Sequence, residues 1–122
     1  MIKLKRAYER AERGDGYRVL VDRLWPRGIK KENLPLDEWA KELSPTTELR
    51  KTFGHDPAEW NEFRMRYQLE LRAPVARKRI EALAQRALAS NVTLVYSARD
   101  EDHNNAVVLK RVLEQKATRK AA

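Results

Sequence analysis

The sequence predicts a single small α/β domain, in which a short parallel or mixed sheet is flanked by helices. Residues 17–21 form a strand-like run rich in β-branched residues, and residues 92–96 form a continuous apolar run of strand length. Between these two segments, apolar residues recur every three or four positions, which is typical of helices. Strong strands on both sides of a helix-rich middle favour the α/β class.

The first strands are separated by a tight turn. Residues 2–8 alternate weakly between apolar and polar side chains, which predicts a short edge strand. Gly14-Asp15-Gly16 predicts a turn before the strand at residues 17–21. Pro26 and Gly28 then end that strand.

Two short helices are predicted next. We expect Pro35 to open the first, which carries Leu36, Trp39 and Leu43. Ser44 and Pro45 are predicted as the cap and first residue of the second, which ends at Gly54.

Three longer helices complete the predicted elements. Asp56 is expected to cap the first, with Pro57 at its first position and Glu59 completing a capping box. A second helix begins at Pro74, and the last begins within residues 100–103. The apolar faces of the three helices carry Trp60, Phe63, Tyr67 and Leu71, then Ala76, Ile80, Leu83 and Ala87, and finally Ala106, Leu109 and Leu113.

Length, charge and composition limit the classes of function. The 122 residues fit one domain, which we expect to span residues 1–115 and to be followed by a basic, frayed tail at 116–122. The formal net charge of +8 favours anionic partners, either nucleic acid or a phosphorylated small molecule. The chain has no cysteine, which excludes disulfides and thiolate chemistry. No signal peptide or membrane-length apolar run is recognised, so we expect a cytoplasmic protein.

Two loops follow strand ends and carry the richest chemistry. Ligands of parallel α/β sheets gather at the carboxyl ends of the strands. The loop after Val21 contains Arg23, Arg27, Lys30 and Lys31 without an intervening acid, together with Trp25 and Pro26. Arginine forks suit phosphate or carboxylate, and an indole can stack on a planar group. Alternatively, Trp25 packs in the core while Arg23 and Arg27 pair with Asp22, Glu32 or the acids after Ser97.

The loop after Tyr96 is the second candidate. Ser97 and Arg99 can bind an anion beside the N-terminus of the last helix. Alternatively, Asp100, Glu101 and Asp102 satisfy that helix end themselves.

Nucleophilic and metal chemistry have little support in the sequence. Ser97 could be activated by His55 or His103, but no nucleophile-elbow motif surrounds it. His55, Asp56, Asp100, Asp102 and His103 lack recognised ligand spacings, so no metal site is expected. The basic residues of the middle helices alternate with glutamates, which is typical of a solvated face. They carry no sequence-specific nucleic-acid motif.

Several motifs resemble one family. The matching segments are Lys5-Arg6-Ala7-Tyr8, the run from Gly16 to Gly28 that includes Asp22-Arg23-Leu24-Trp25-Pro26-Arg27-Gly28, Glu48-Leu49-Arg50, Phe53-Gly54-His55-Asp56-Pro57, and the run from Leu94 to Asp100. Together they resemble the YeaO-like proteins, small bacterial and archaeal proteins with domain of unknown function 488. The resemblance runs in order from about residue 3 to residue 113.

The resemblance implies one α/β domain and no established reaction or cofactor. Carried over by motif, it implies a candidate site of Arg23, Trp25, Pro26, Arg27, Lys30, Arg50, Ser97, Arg99 and Asn104. Many relatives have Asn-His-Ala where this chain has Asn104-Asn105-Ala106. This departure favours binding over histidine catalysis.

Three functions are therefore expected, in this order. The first is binding of a phosphate-bearing, nucleotide-like or other anionic ligand in a crevice between the loops after Val21 and Tyr96. The second is non-specific association with nucleic acid through the basic surface. The third is a structural or partner-binding role for the loop around Trp25.

Overall fold

Four parallel strands form one sheet in the order β1-β4-β2-β3 in the computed structural model, which describes residues 1–121. The strands are β1 (Ile2–Arg6), β2 (Tyr17–Leu20), β3 (Glu38–Trp39) and β4 (Val92–Tyr96). The α-helices are α1 (Thr47–Phe53), α2 (Trp60–Glu70), α3 (Pro74–Ala89) and α4 (Asn105–Ala121). Short 3-10 turns occupy Arg13–Asp15, Lys31–Asn33, Lys41–Leu43 and Pro57–Glu59. The predicted α/β class is confirmed, and the sheet is parallel.

The central strand is β4, which pairs with β1 on one side and β2 on the other. Leu94 lies opposite Leu4 of β1 and Val19 of β2, and all five residues of β4 are buried. The continuous apolar run therefore forms a strand covered on both faces, as predicted. The predicted edge position of β1 is also confirmed.

The two faces of the sheet are covered differently. Val19 and Leu94 face the helices and share the main core with residues such as Leu83 and Leu109. On the opposite face, Leu20 and Val95 join a smaller cluster that includes Ala7, Leu34, Trp25, Ile29, Leu36 and Trp39. The loop after β2 is therefore packed against the sheet as part of the fold.

The helix predicted after Pro35 does not form. Glu38–Trp39 is instead the edge strand β3, which pairs with Val19 and Leu20 of β2. The backbone N–H of Ala40 also donates to the carbonyl of Leu20 at 2.9 Å. Pairing with β2 outweighs the local helical spacing, and only Lys41–Leu43 forms a 3-10 turn.

The predicted start of α1 at Ser44 and Pro45 is wrong. Thr46 is the cap, because its hydroxyl accepts from the N–H of Leu49 at 3.2 Å. The hydroxyl of Ser44 donates to the Lys41 carbonyl at 2.5 Å, and its backbone is extended. The predicted end of the helix at Gly54 is confirmed, since this residue adopts the left-handed conformation with φ of 54°.

The next helix start combines a 3-10 turn with α2. Asp56 accepts from the N–H of Ala58 at 3.0 Å and caps the turn Pro57–Glu59. The backbone of Glu59 then leads into α2, whose first residue is Trp60, so the predicted helix begins as a tighter turn. The helix predicted at Pro74 is confirmed as α3.

The last helix begins later and extends further than predicted. It starts at Asn105, because Asn104 caps it by accepting from the N–H of Val107 at 3.1 Å. Residues 116–121, expected as a frayed tail, are helical, and the Lys116 ammonium lies 3.2 Å from the Glu81 carboxylate. Ala122, the last residue of that predicted tail, lies outside the described residues. Within residues 1–121, no helix is both long and apolar enough to cross a membrane.

Candidate functional site

A cavity of about 550 Å³ opens where β2 and β4 end. Its walls come from the loops after these two strands, from the segment around α1, and from Tyr8 after β1. The lining residues are Tyr8, Asp22, Arg23, Leu24, Trp25, Arg27, Pro45, Arg50, Phe53, His55, Phe63, Ser97, Ala98, Arg99, Asp100, Asn104 and Asn105. The two loops singled out by the sheet-end rule therefore do meet at one cavity.

Seven of the eight residues predicted to bind the ligand line this cavity. They are Arg23, Trp25, Arg27, Arg50, Ser97, Arg99 and Asn104. Lys30 does not line it. The backbone turns at Gly28, with φ of 81°, and Lys30 lies exposed beyond that turn, ahead of the 3-10 turn Lys31–Asn33.

Asp22 ties the two strand-end loops together. Its Oδ2 accepts from the backbone N–H of Ser97 at 2.9 Å and from the Ser97 hydroxyl at 2.7 Å. The amide of Asn105 donates to the Val21 carbonyl at 2.9 Å and lies 3.3 Å from Asp22 Oδ1. The carboxylate of Asp22 thus joins the end of β2, the end of β4 and the start of α4.

This network argues against a serine nucleophile. The Ser97 hydroxyl donates to Asp22, whereas Nδ1 of His103 lies 3.0 Å from Oδ2 of Asp100. The ring of His103 also packs edge-on against Trp60, with the ring centroids 5.2 Å apart. No hydrogen bond joins Ser97 to either histidine in the described structure, so the serine–histidine pair considered from the sequence is absent there.

The indole of Trp25 is held mainly by the fold. Its Nε1 donates to the Ile29 carbonyl at 2.6 Å, and its ring lies 5.5 Å from that of Trp39 in an edge contact. It packs against the smaller apolar cluster on the loop-covered face. The alternative of Trp25 as a packing residue is therefore supported, although part of its surface still lines the cavity.

The arginines of the cavity do not pair with acids as the same alternative required. Arg23 donates to two carbonyls, those of Pro45 at 3.1 Å and Ser44 at 3.5 Å. The guanidinium groups of Arg27, Arg50 and Arg99 have no hydrogen-bond or ion-pair partner among residues 1–121. The loop bearing Arg27 is fixed through its backbone, since its carbonyl accepts from the Tyr8 hydroxyl at 2.9 Å.

The carboxylate of Asp100 accepts hydrogen bonds from backbone N–H groups of its own loop. Its Oδ1 accepts from the N–H groups of Asp102 and His103 at 2.9 and 3.0 Å. The hydrogen bond from Asp102, assisted by those from His103, holds the pKa of Asp100 below its usual value. In the described chain Asp100 therefore caps the loop that precedes α4, and the helix end itself is capped by Asn104 and not by Asp100 as the alternative required.

The side chain of Asn104 is likewise engaged in hydrogen bonds with nearby backbone groups. Its side chain is buried and caps α4 through Oδ1, while its Nδ2 donates to the Asp100 carbonyl at 2.9 Å. The N-terminus of α4 is thus partly satisfied by Asn104 itself, and this residue shapes the cavity wall.

The sequence did not indicate the apolar wall of the cavity. Phe53 and Phe63 stack with ring centroids 4.4 Å apart, and Leu24 is 58% exposed. His55 also lines the cavity, in a left-handed conformation with φ of 58°. Helical periodicity predicts that Phe63 lies in the core, and no pattern within the sequence relates either phenylalanine to the strand-end loops. In the described chain, no three His, Asp or Glu side chains converge as metal ligands.

These features define a small, basic α/β protein with a cavity at the carboxyl ends of its two central strands. Its sequence assigns this protein to a particular family. A family model described as the inactive DUF488-N3 subclade matches residues 1–122, and the chain belongs to that family.

Curated relatives support the same placement. The chain is 49% identical over 108 residues to the Escherichia coli K12 protein named "Uncharacterized protein YeaO", covering 88% of this chain and 92% of that protein. It is 37% identical over 112 residues to the Mycobacterium tuberculosis H37Rv protein named "Uncharacterized protein Rv3073c", covering 92% of each. The resemblance to the YeaO-like proteins is confirmed. No solved structure matches the chain.

Proposed function

We propose that this protein binds a small phosphate-bearing or similar anion in the cavity at the ends of β2 and β4. The observation that carries the proposal is the set of four arginines lining one cavity, none of which forms an ion pair within residues 1–121. Guanidinium groups form charge-assisted, often bidentate hydrogen bonds with phosphate and carboxylate.

The two acids of the cavity do not neutralise these arginines. Asp22 is engaged by Ser97 and Asn105, and Asp100 by the backbone of its own loop and by His103. Four arginines against two such aspartates leave the cavity positive, which attracts anions.

Binding is favoured over turnover. Ser97 has no histidine partner in the described structure, since its hydroxyl donates to the Asp22 carboxylate, which also holds the two loops together, and the family is described as inactive. The bonds of Asn105 to Val21 and Asp22 give this side chain a role in holding the cavity wall. We therefore propose recognition of an anion as the role of the site, in the cytoplasm predicted from the sequence.

Calorimetric titration with inorganic phosphate tests this proposal. We expect wild-type binding that weakens by at least about tenfold when Arg27 and Arg99 are both replaced by alanine, because charged hydrogen bonds contribute about 1.5–3 kcal/mol each. Arg77→Ala is the matched control, since Arg77 is exposed on α3 and does not line the cavity. Equal phosphate affinity in wild type and double variant would contradict the proposal.

The two other expected functions, nucleic-acid association and partner binding, stay predictions. A cavity of about 550 Å³ suits a small molecule better than a nucleic-acid strand. Affinity for DNA or RNA that falls steeply with salt and survives the double arginine substitution would favour the nucleic-acid alternative.

A further inference from the structure

We infer that the ligand is an organic phosphate whose body is a planar apolar ring, with the phosphate at the arginines and the ring against Leu24, Phe53 and Phe63. This inference rests on the proposed function and specifies the chemical class of the ligand. Three properties of the cavity lead to it.

The first property is size. Cavities of about 300–1,000 Å³ are typical of sites for organic ligands and cofactors. The cavity at the ends of β2 and β4 measures about 550 Å³, which is far more than one phosphate group fills. A ligand that fills it therefore has a body in addition to its anionic group.

The second property is the apolar part of the lining. Phe53 and Phe63 stack on each other at 4.4 Å and contribute to the cavity wall although both side chains are almost fully buried. Pro45 and Ala98 add further apolar surface. Such a wall offers dispersion contacts and burial to an apolar ring and no hydrogen bonds to a sugar-like or purely ionic ligand.

The third property is the position of Leu24 between two arginines in the chain. Leu24 is 58% exposed, whereas Trp25 next to it packs against the fold. The loop therefore presents Arg23, Leu24 and Arg27 to the same cavity. An apolar side chain flanked by cations matches a ligand that carries an apolar ring and a negative group.

Titrations with phenyl phosphate and methyl phosphate test the inference. The two compounds carry the same anionic group and differ in the ring. We expect phenyl phosphate to bind about tenfold more tightly, because burial of the ring adds apolar contact area. We expect Leu24→Ala to reduce this preference for phenyl phosphate over methyl phosphate by about threefold.

The matched control is Leu69→Ala, since Leu69 is 60% exposed on α2 and does not line the cavity. Equal affinities of wild type for the two compounds would overturn the inference and leave the proposed anion binding intact. A full preference for phenyl phosphate in Leu24→Ala would overturn the assigned position of the ring. If neither phenyl phosphate, methyl phosphate nor inorganic phosphate binds, both proposals are overturned.

Discussion

Two groups of basic side chains in this protein have opposite surroundings. On the loop-covered face of the sheet, Lys5 and Arg18 converge on Asp15, which is fully buried. The distances are 2.9 Å from Lys5 Nζ to Asp15 Oδ1 and 2.6 Å from Arg18 Nη1 to Asp15 Oδ2. At the cavity, by contrast, Arg27 and Arg99 are exposed and pair with no acid in the described chain.

This contrast separates charges that hold the fold from charges available to a ligand. A buried ion pair loses much of its hydration, so removing one partner leaves an uncompensated charge. An exposed arginine without a partner keeps its hydration and contributes little to stability. Net charge alone does not distinguish the two groups, whereas burial and partners do.

The largest effect on stability is expected at the buried group. Asp15→Ala leaves Lys5 and Arg18 without their shared carboxylate, and we expect a loss of about 3–5 kcal/mol in the free energy of unfolding. Chemical denaturation measures this loss. Glu62→Ala is the control, because Glu62 pairs with Arg66 on the exposed surface of α2 and its loss is expected to cost about 0.5 kcal/mol. Equal losses in the two variants would show that the buried ion pairs of Asp15 do not stabilise the fold more than an exposed pair does.

Each of these two regions contains a glycine with positive φ. Gly16 follows Asp15 with φ of 64°, and a Cβ built there would lie 2.2 Å from the Asn91 carbonyl oxygen. Gly28, in the loop of the cavity, has φ of 81° and nothing within 4 Å of such a Cβ. We expect Gly16→Ala to cost more than about 2 kcal/mol and Gly28→Ala about 1 kcal/mol. Thermal denaturation of both variants checks the order, and a larger loss at Gly28 would contradict it.

Acid is expected to lower the contribution of the Asp15 carboxyl to the free energy of unfolding. Burial raises the pKa of the Asp15 carboxyl, but hydrogen bonds from the Glu12 backbone, Lys5 and Arg18 outweigh it and leave the pKa below its usual 3.8. A depressed pKa in the folded state contributes stability that is complete above the usual value. That stability is lost as the pH falls through the folded-state pKa.

Denaturation curves at decreasing pH measure this contribution. We expect the free energy of unfolding of the wild type to fall below about pH 4, and to fall less steeply in Asp15→Asn, which cannot titrate at this position. Identical slopes in the two proteins would show that the Asp15 carboxyl does not contribute as described.

The smallest effect on stability is expected at the cavity. Arg27 forms no ion pair within residues 1–121, so Arg27→Ala is expected to change the free energy of unfolding by less than about 0.5 kcal/mol. Chemical denaturation without phosphate provides the value. A loss of 2 kcal/mol or more would place Arg27 with the structural charges instead.

The sequence predicted the fold class and the position of the cavity for the same physical reason. Strong apolar runs marked β2 and β4, and parallel strands bring their carboxyl ends to one edge of the sheet. It could not predict β3, because a two-residue strand has no periodicity and depends on pairing with β2.

The side-chain roles at the cavity were harder to predict. Asp22 was one of the acids considered as a partner for the arginines, but its carboxylate accepts from the Ser97 hydroxyl. Asn104 was predicted to bind the ligand, and its side chain caps α4. Phe53 and Phe63 follow helical spacing whether they line a cavity or only fill the core. These roles depend on which elements meet in three dimensions, and no local pattern contains that information.

A crystal structure of the protein grown with phosphate tests the central claim most directly. The proposed function predicts a phosphate ion inside the cavity, with its oxygens within hydrogen-bond distance of the guanidinium groups of Arg27 and Arg99. The same crystals should show Lys5 and Arg18 still bound to Asp15. Phosphate located only outside the cavity, or a cavity in which Arg27 and Arg99 pair with protein acids, would contradict the account.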